Sequence, residues 1–340
     1  MNNRPIDILI NYPFNEQQVD AIKKVSPNLR VSFYPKADLE EIPENVKSRA
    51  EILLTKRAVP DPEEMPALHW IQYTLAGIDF VNGSPLFERE GFAVTSLSGA
   101  VAGKVAEYAV MAMLSLGHKL PMAIAYQSQK VWPADRWNSM KATELRGSTV
   151  GLLGYGSIGR EIARLVQPFH VEILATKKNI MQLEDDGYTP EGLGDAQGML
   201  FKRLYPPEAT KQMLKLCDFV VVCLPLTPET VGAVGRSELQ AMKKTAYLVA
   251  LGRGGQVDEE ALAEALRAGT IAGAALDVFE EEPLPPDSPL WEVPNLIITP
   301  HIAGNTARYD EHVLELFIAN LKRYLNGEPL YNLYLPNRGY

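Results

Sequence analysis

The chain predicts an α/β protein made of two doubly wound parallel-sheet domains. Three observations carry that expectation. Short apolar or β-branched runs of strand length alternate with helical or proline-marked segments, the order that builds parallel sheets. The alternation is interrupted once, by two consecutive helical stretches, and then restarts at a glycine-rich turn. A length of 340 residues, with 46% hydrophobic and 22% charged residues, is enough for two buried cores.

Taken in order, strands are expected at 6–10, 30–34, 52–55, 70–74 and 93–96. No glycine-rich phosphate motif lies among them, so this sheet should hold a different ligand beyond the carboxyl ends of its strands. Two ends draw attention. Lys56 and Arg57 follow the third strand, and Ala76 and Gly77 follow the fourth. Gly77 can take φ > 0 and present consecutive N–H groups to an anion, an ordinary turn being the alternative; for Lys56 and Arg57 the alternative is a solvated loop charge.

Helices are expected at 101–116 and 121–131. The apolar block 105–116 contains Glu107 and falls short of the roughly 18 apolar residues of a membrane span, so it fits a buried helix. Trp132, Pro133 and Trp137 then lead into the glycine stretch. A first domain crossing is placed here, giving one domain of 1–118 with 305–340 and another of 119–304.

The organising stretch is 148–165. Strand 150–153 runs into Gly154, Gly156 and Gly159, spaced G-x-G-x-x-G, and then into a helix with Ile158, Ile162 and Leu165 on one face; strand 171–175 completes a β-α-β unit. Gly154 allows the sharp turn, Gly156 lets a pyrophosphate approach the backbone, and Gly159 lets helix and strand pack closely, which is the Rossmann dinucleotide signature. At the end of the second strand, where an acidic residue would bind the ribose of NAD, the chain has Thr176, Lys177 and Lys178. Two ammonium groups and a hydroxyl suit a 2′-phosphate, so NADP is favoured, with NAD as the alternative and a pair of solvated lysines as the reading that would support it.

The connection 179–207 is rich in Gly, Asp, Glu and Pro and longer than most α/β connections, and is expected to be a solvated insertion, a small lid being the alternative. Strands follow at 219–223, 246–250, 272–276 and 296–299, with helices at 237–242 and 259–268. Three strand ends carry polar residues. Arg253 stands among Gly252, Gly254 and Gly255, where a planar cation can face a ligand or pair with a surface acid; Asp277 opens an acidic run ending in Glu282; His301 follows Pro300. An amphipathic helix over 306–326, ended by Gly327, is expected to cross back onto the first domain, so that two crossings would hinge a cleft.

The net charge of -9 and pI near 5.2 disfavour nucleic acid and anionic membrane as partners. Residues 1–7 lack a secretory apolar core, and Cys217 and Cys223 flank one expected strand out of disulfide reach, both suiting a cytoplasmic protein. No metal site is expected.

The glycine stretch preceded by Glu144-Leu-Arg-Gly147, the run 224–230, 252–259, 275–283 and 299–304 together resemble the D-isomer-specific 2-hydroxyacid dehydrogenases, in the family's order and across nearly the whole chain. The resemblance implies a flavodoxin-like substrate domain beside the Rossmann domain, a homodimer, and catalytic roles for Arg253, Glu282 and His301. The cofactor is then expected along Gly154, Tyr155, Gly156, Ser157, Ile158, Gly159, Thr176, Lys177, Lys178, Leu224, Pro225, Thr230, Leu251, Gly252, Arg253, Asp277, His301 and Gly304. Asp277 would contact the nicotinamide carboxamide; Lys56, Ala76, Gly77, Arg253 and His301 would contact substrate. Glu282 argues against the formate dehydrogenase branch, which carries Gln there. Lys177 in place of the family's usual Asp, Ala250 in place of an Asn, and the long 179–207 connection depart from the pattern. The implied function is reduction of a small 2-oxo acid such as glyoxylate or hydroxypyruvate, with His301 as proton donor; the alternative is a nucleotide-sensing protein like the family's corepressor branch.

Overall fold

The computed structural model describes residues 4–336. The chain divides into two compact units, one comprising Met1–Val101 with Thr306–Tyr340 and the other Ala102–Asn305.

The first unit holds strands β1 (Ile6–Asn11), β2 (Leu29–Phe33), β3 (Ile52–Thr55), β4 (Trp70–Tyr73) and β5 (Ala93–Thr95). All pair in parallel, in the order β2-β1-β3-β4-β5, which is the flavodoxin-like winding. The C-terminal helix Tyr309–Asn326 packs on this sheet: Trp70 stacks on Phe317 and Tyr324 with ring centroids 5.4 and 5.5 Å apart. Asn320, which lies at helical spacing among its apolar residues, is fully buried and donates to Gln72 Oε1 at 3.0 Å, so its burial carries no unpaired amide.

The second unit holds β6 (Thr149–Leu153), β7 (Glu172–Thr176), β8 (Arg203–Tyr205), β9 (Phe219–Val222), β10 (Tyr247–Ala250), β11 (Gly273–Leu276) and β12 (Leu296–Ile298). Their order is β12-β11-β10-β9-β6-β7-β8, again all parallel, the Rossmann arrangement extended by one strand. Helix Ala102–Gly117 belongs to this unit, contrary to the expected crossing after residue 118. Its Val105, Ala109, Met113 and Leu116 join the core of Val150, Leu152, Ile162 and Val249. An apolar helix reads only as needing a cover, and its sequence does not say which sheet supplies it.

Register positions the site. Tyr205, Thr176, Leu153, Val222, Ala250, Leu276 and Ile298 are successive partners across the seven strands. Every strand points the same way, so the chain leaves the sheet along this row on one edge. Lys177, Gly154, Arg253, Asp277 and His301 all follow it within three residues. Among the described residues, no single helix is long and apolar enough to cross a membrane.

Candidate active site

At the centre of that edge, β6 runs into Gly154, whose φ of 102° is closed to other residues without strain; a Cβ there would lie 2.9 Å from the Cys223 carbonyl oxygen. A Cβ on Gly159 would lie 2.4 Å from the Gly154 oxygen, so this residue sets how closely helix Ser157–Leu165 approaches the turn. Gly156 differs. It is exposed, a Cβ on it would meet no protein atom within 4 Å, and the helix that starts after it has no side-chain cap. Uncapped N–H groups behind an open glycine fit a pyrophosphate, and Ser157 and Ile158 supply the first of them.

The flanking turns are tied together by a residue whose role the sequence did not disclose. Gln256 is buried; its amide donates to the Leu224 and Pro225 carbonyls at 3.0 and 2.9 Å, and its oxygen accepts from the Arg253 N–H at 3.1 Å. Thr230, expected at the cofactor, donates its hydroxyl to the Pro225 carbonyl at 2.7 Å and closes that turn. Leu251 is buried and Gly304 half-buried, while Arg253 Nη1 donates to the Gly252 carbonyl at 2.8 Å.

His301 and Glu282 come together: Nδ1 lies 2.8 Å from Glu282 Oε2, and Glu282 Oε1 accepts from the Phe279 N–H at 3.0 Å. A carboxylate only accepts, so Nδ1 carries the hydrogen and Nε2 is the atom left for a substrate. The histidine backbone is in the left-handed region, φ 52°. Asp277 holds it there, its buried carboxylate accepting from the N–H of Ile302 and of Ala303 at 2.9 and 2.8 Å and from the Thr299 hydroxyl at 2.6 Å. Tyr108 Oη lies 2.6 Å from Thr299 Oγ1, and burial raises its pKa so that the phenol stays neutral. Tyr108 and Thr299 were not singled out from the sequence. Both oxygens of Asp277 are thus engaged with the turn that carries His301.

At the other end of the row the structure corrects two expectations. The Thr176 hydroxyl is buried and accepts from the Gly154 N–H at 3.1 Å, so it is tied to the glycine turn instead of standing open on the surface. The connection 179–207 is not a solvated insertion: it contains β8, and its preceding segment is docked on the glycine-loop helix. Arg160 Nη2 donates to the Leu183 carbonyl at 2.6 Å and Nη1 to the Asp195 carbonyl. Tyr155 Oη donates to Asp195 Oδ2 at 2.6 Å, and the Met199 and Leu200 N–H groups donate to the same carboxylate at 2.8 and 3.0 Å. Arg160, Tyr155 and Asp195 are all buried. Lys177 is half-buried and donates from Nζ to the Gln182 carbonyl, and Lys178 is exposed.

In the first unit, Lys56 is exposed after β3, and Ala76 and Gly77 follow β4. Gly77 is not among the residues with positive φ, contrary to the expected nest; the chain passes from it straight into the 3-10 turn Asp79–Val81. Cys217 and Cys223 are free, and burial pushes both thiols up to about 12.

Residues 110–303 match the model of the D-isomer specific 2-hydroxyacid dehydrogenase NAD binding domain. The chain is 35% identical, over 85% of its length, to a glyoxylate reductase of Thermofilum pendens, of which it covers 82%. It is 32% identical over 98% of its length to a D-3-phosphoglycerate dehydrogenase of Methanocaldococcus jannaschii, spanning 60% of that protein. A family protein of Aeromonas salmonicida superposes with a TM-score of 0.77 at 31% identity, covering 97% of this chain and 99% of its own. A D-isomer specific 2-hydroxyacid dehydrogenase of Xanthobacter autotrophicus in complex with NADPH and MES does so with a TM-score of 0.76 at 26% identity, covering 99% and 100%. The chain belongs to the D-isomer specific 2-hydroxyacid dehydrogenase family.

Proposed function

We propose that this protein reduces a small 2-oxo acid, of the glyoxylate or hydroxypyruvate kind, to the D-2-hydroxy acid with NADPH. The observation that carries the reading is the His301–Glu282 pair at 2.8 Å, standing on the same strand-end row as Arg253 and the glycine turn. A nicotinamide cofactor held at the glycine turn would supply the hydride for C2. The chain does the rest: Glu282 holds Nδ1–H and turns Nε2 outward, and protonated His301 gives its Nε2 proton to the carbonyl oxygen as that oxygen gains charge. Arg253 binds the carboxylate and the carbonyl oxygen, polarising the bond and orienting C2. Gly156, Ser157 and Ile158 would hold the pyrophosphate at the turn that Gly154 makes, and Lys177 with Lys178 would hold the 2′-phosphate, a preference supported by the NADPH complex of the Xanthobacter relative. Free, inert thiols suit a reducing cytoplasm.

Initial rates with glyoxylate, hydroxypyruvate and pyruvate, followed by nicotinamide absorbance, test the reading. Turnover with NADPH preferred over NADH is expected; a clear NADH preference removes the lysine assignment, and no turnover with any of the three removes the substrate class.

Two copies are proposed to associate through helix Leu120–Gln129 and the segment after it. That helix buries none of its residues, and Trp132 and Trp137 are 82% and 76% exposed. Sedimentation is expected to give twice the chain mass, and a monomer at micromolar concentration would sink the idea.

A further inference from the structure

One cluster of buried charged groups that the proposed reaction does not use lies where the segment between β7 and β8 meets the glycine-loop helix. Arg160 and Glu161 are each 1% exposed on a helix of nine residues. Glu161 accepts from the Gly194 N–H at 2.6 Å and is gripped by Arg164 at 2.6 Å; Arg160 reaches the carbonyls of Leu183 and Asp195, with Asp185 at 3.7 Å from its Nε. The segment also closes on itself through Asp185 N–H to Ala196 O at 2.9 Å. Burying this much charge is unfavourable unless it is paired; here each charged side chain has a carbonyl, N–H or opposite charge against it, although Arg160 Nε makes no hydrogen bond, and breaking one member would leave another buried and unpaired.

What the network fixes is Gln182, next to Leu183, and Gln182's carbonyl takes one hydrogen of the Lys177 ammonium. An ammonium has three donors, so two remain. We propose that the 183–200 segment is a positioning device for the cofactor's ribose phosphate: Asp195 and Arg160 dock it on the glycine-loop helix, and the docked Gln182 carbonyl presents Lys177 with its two remaining N–H groups to a 2′-phosphate. Selection between NADPH and NADH then depends on Asp195, a residue that itself touches no cofactor. A lysine free on its stem gives up rotamer freedom when it binds, and one held beforehand gives up less. The carboxylate of Asp195 is suited to the task. Burial works to raise its pKa, but the bonds from Tyr155, Met199 and Leu200 and the Arg160 charge outweigh that and lower it, so it stays ionised at neutral pH.

The inference rests on the cofactor reading above, but is measured as a change in a ratio, whichever cofactor the wild type prefers. Dissociation constants for NADPH and NADH would be measured by nicotinamide fluorescence on the full-length protein. Asp195→Asn is expected to weaken NADPH about tenfold and NADH by less than about twofold, shifting the ratio of the two dissociation constants by about fivefold or more. In a Lys177→Met background the same substitution should cost almost nothing more, because the two residues act through one contact. Equal weakening of both cofactors would mean that Asp195 merely supports the fold. Additive losses in the double variant, or an unchanged ratio, would also overturn the proposal. If Asp195→Asn fails to fold, Asp195→Glu, which keeps the charge and moves it by one methylene, gives the same readout. A wild type that prefers NADH would instead count against the NADP assignment alone.

Discussion

The two ends of the second unit's strand row are held by opposite means. At β12, His301 is fixed by residues close to it in sequence or on the neighbouring strand: Glu282 on its ring, Asp277 on the two N–H groups that follow it, Thr299 two residues before. At β7, Lys177 is fixed by a loop carbonyl, and that loop is fixed from outside by Arg160 and Tyr155, which hold its Leu183 carbonyl and its Asp195. The turn that carries the proposed chemistry is therefore held directly by residues of β11, β12 and the turns after them, with Tyr108 reaching it only through Thr299, whereas the proposed selectivity is built at a distance. Substitutions around His301 should change kcat with either cofactor, and substitutions around Asp195 should change the cofactor ratio and leave kcat with NADH alone.

Removing supports of the His301 turn sharpens that contrast in graded steps. Thr299→Val deletes a hydroxyl bonded to the Asp277 carboxylate and leaves a buried acceptor short of a partner, so kcat should fall about tenfold to a hundredfold with NADPH and NADH alike. Tyr108→Phe removes only the outer bond to Thr299, and a loss of about threefold to tenfold is expected. Steady-state kinetics with both cofactors checks each. A variant that altered the cofactor ratio would break the separation between the two ends, and a Tyr108→Phe effect larger than that of Thr299→Val would reverse the proposed order of support.

Much of this was legible because its signals are local. Strand runs, the glycine spacing and the polar residues just past strand ends lie within a few residues of one another, and the parallel register then places them along one row without further information. His301 and Glu282 were found through the resemblance and through a proline-fixed turn, and the structure brings them within hydrogen-bonding distance. What escaped detection has a common physical cause. Arg160 lies opposite the helix face that carries Ile158 and Ile162, where a charge normally meets water, and Glu161 falls beside Ile158 at helical spacing, where a carboxylate breaks the apolar pattern; the docked loop supplies partners to both. Asp195 sits in a Gly-rich run with no period to read, and β8 has three residues, too few to show alternation. Tyr108 looks like one more large residue in an apolar helix, and its bond to Thr299 spans 191 residues of chain. Helix Ala102–Gly117 was assigned to the other sheet because its pattern specifies burial, not a partner.

The central claim is that His301 is the proton donor, oriented by Glu282 and separate from cofactor binding. His301→Gln keeps a side chain of similar size that cannot carry the proton. Its single-turnover rate of 2-oxo acid reduction should fall about a thousandfold, within the range general acid catalysis supplies, with NADPH affinity unchanged within about twofold. A variant that turns over at near the wild-type rate, or one that loses NADPH binding in proportion to its rate, would contradict it.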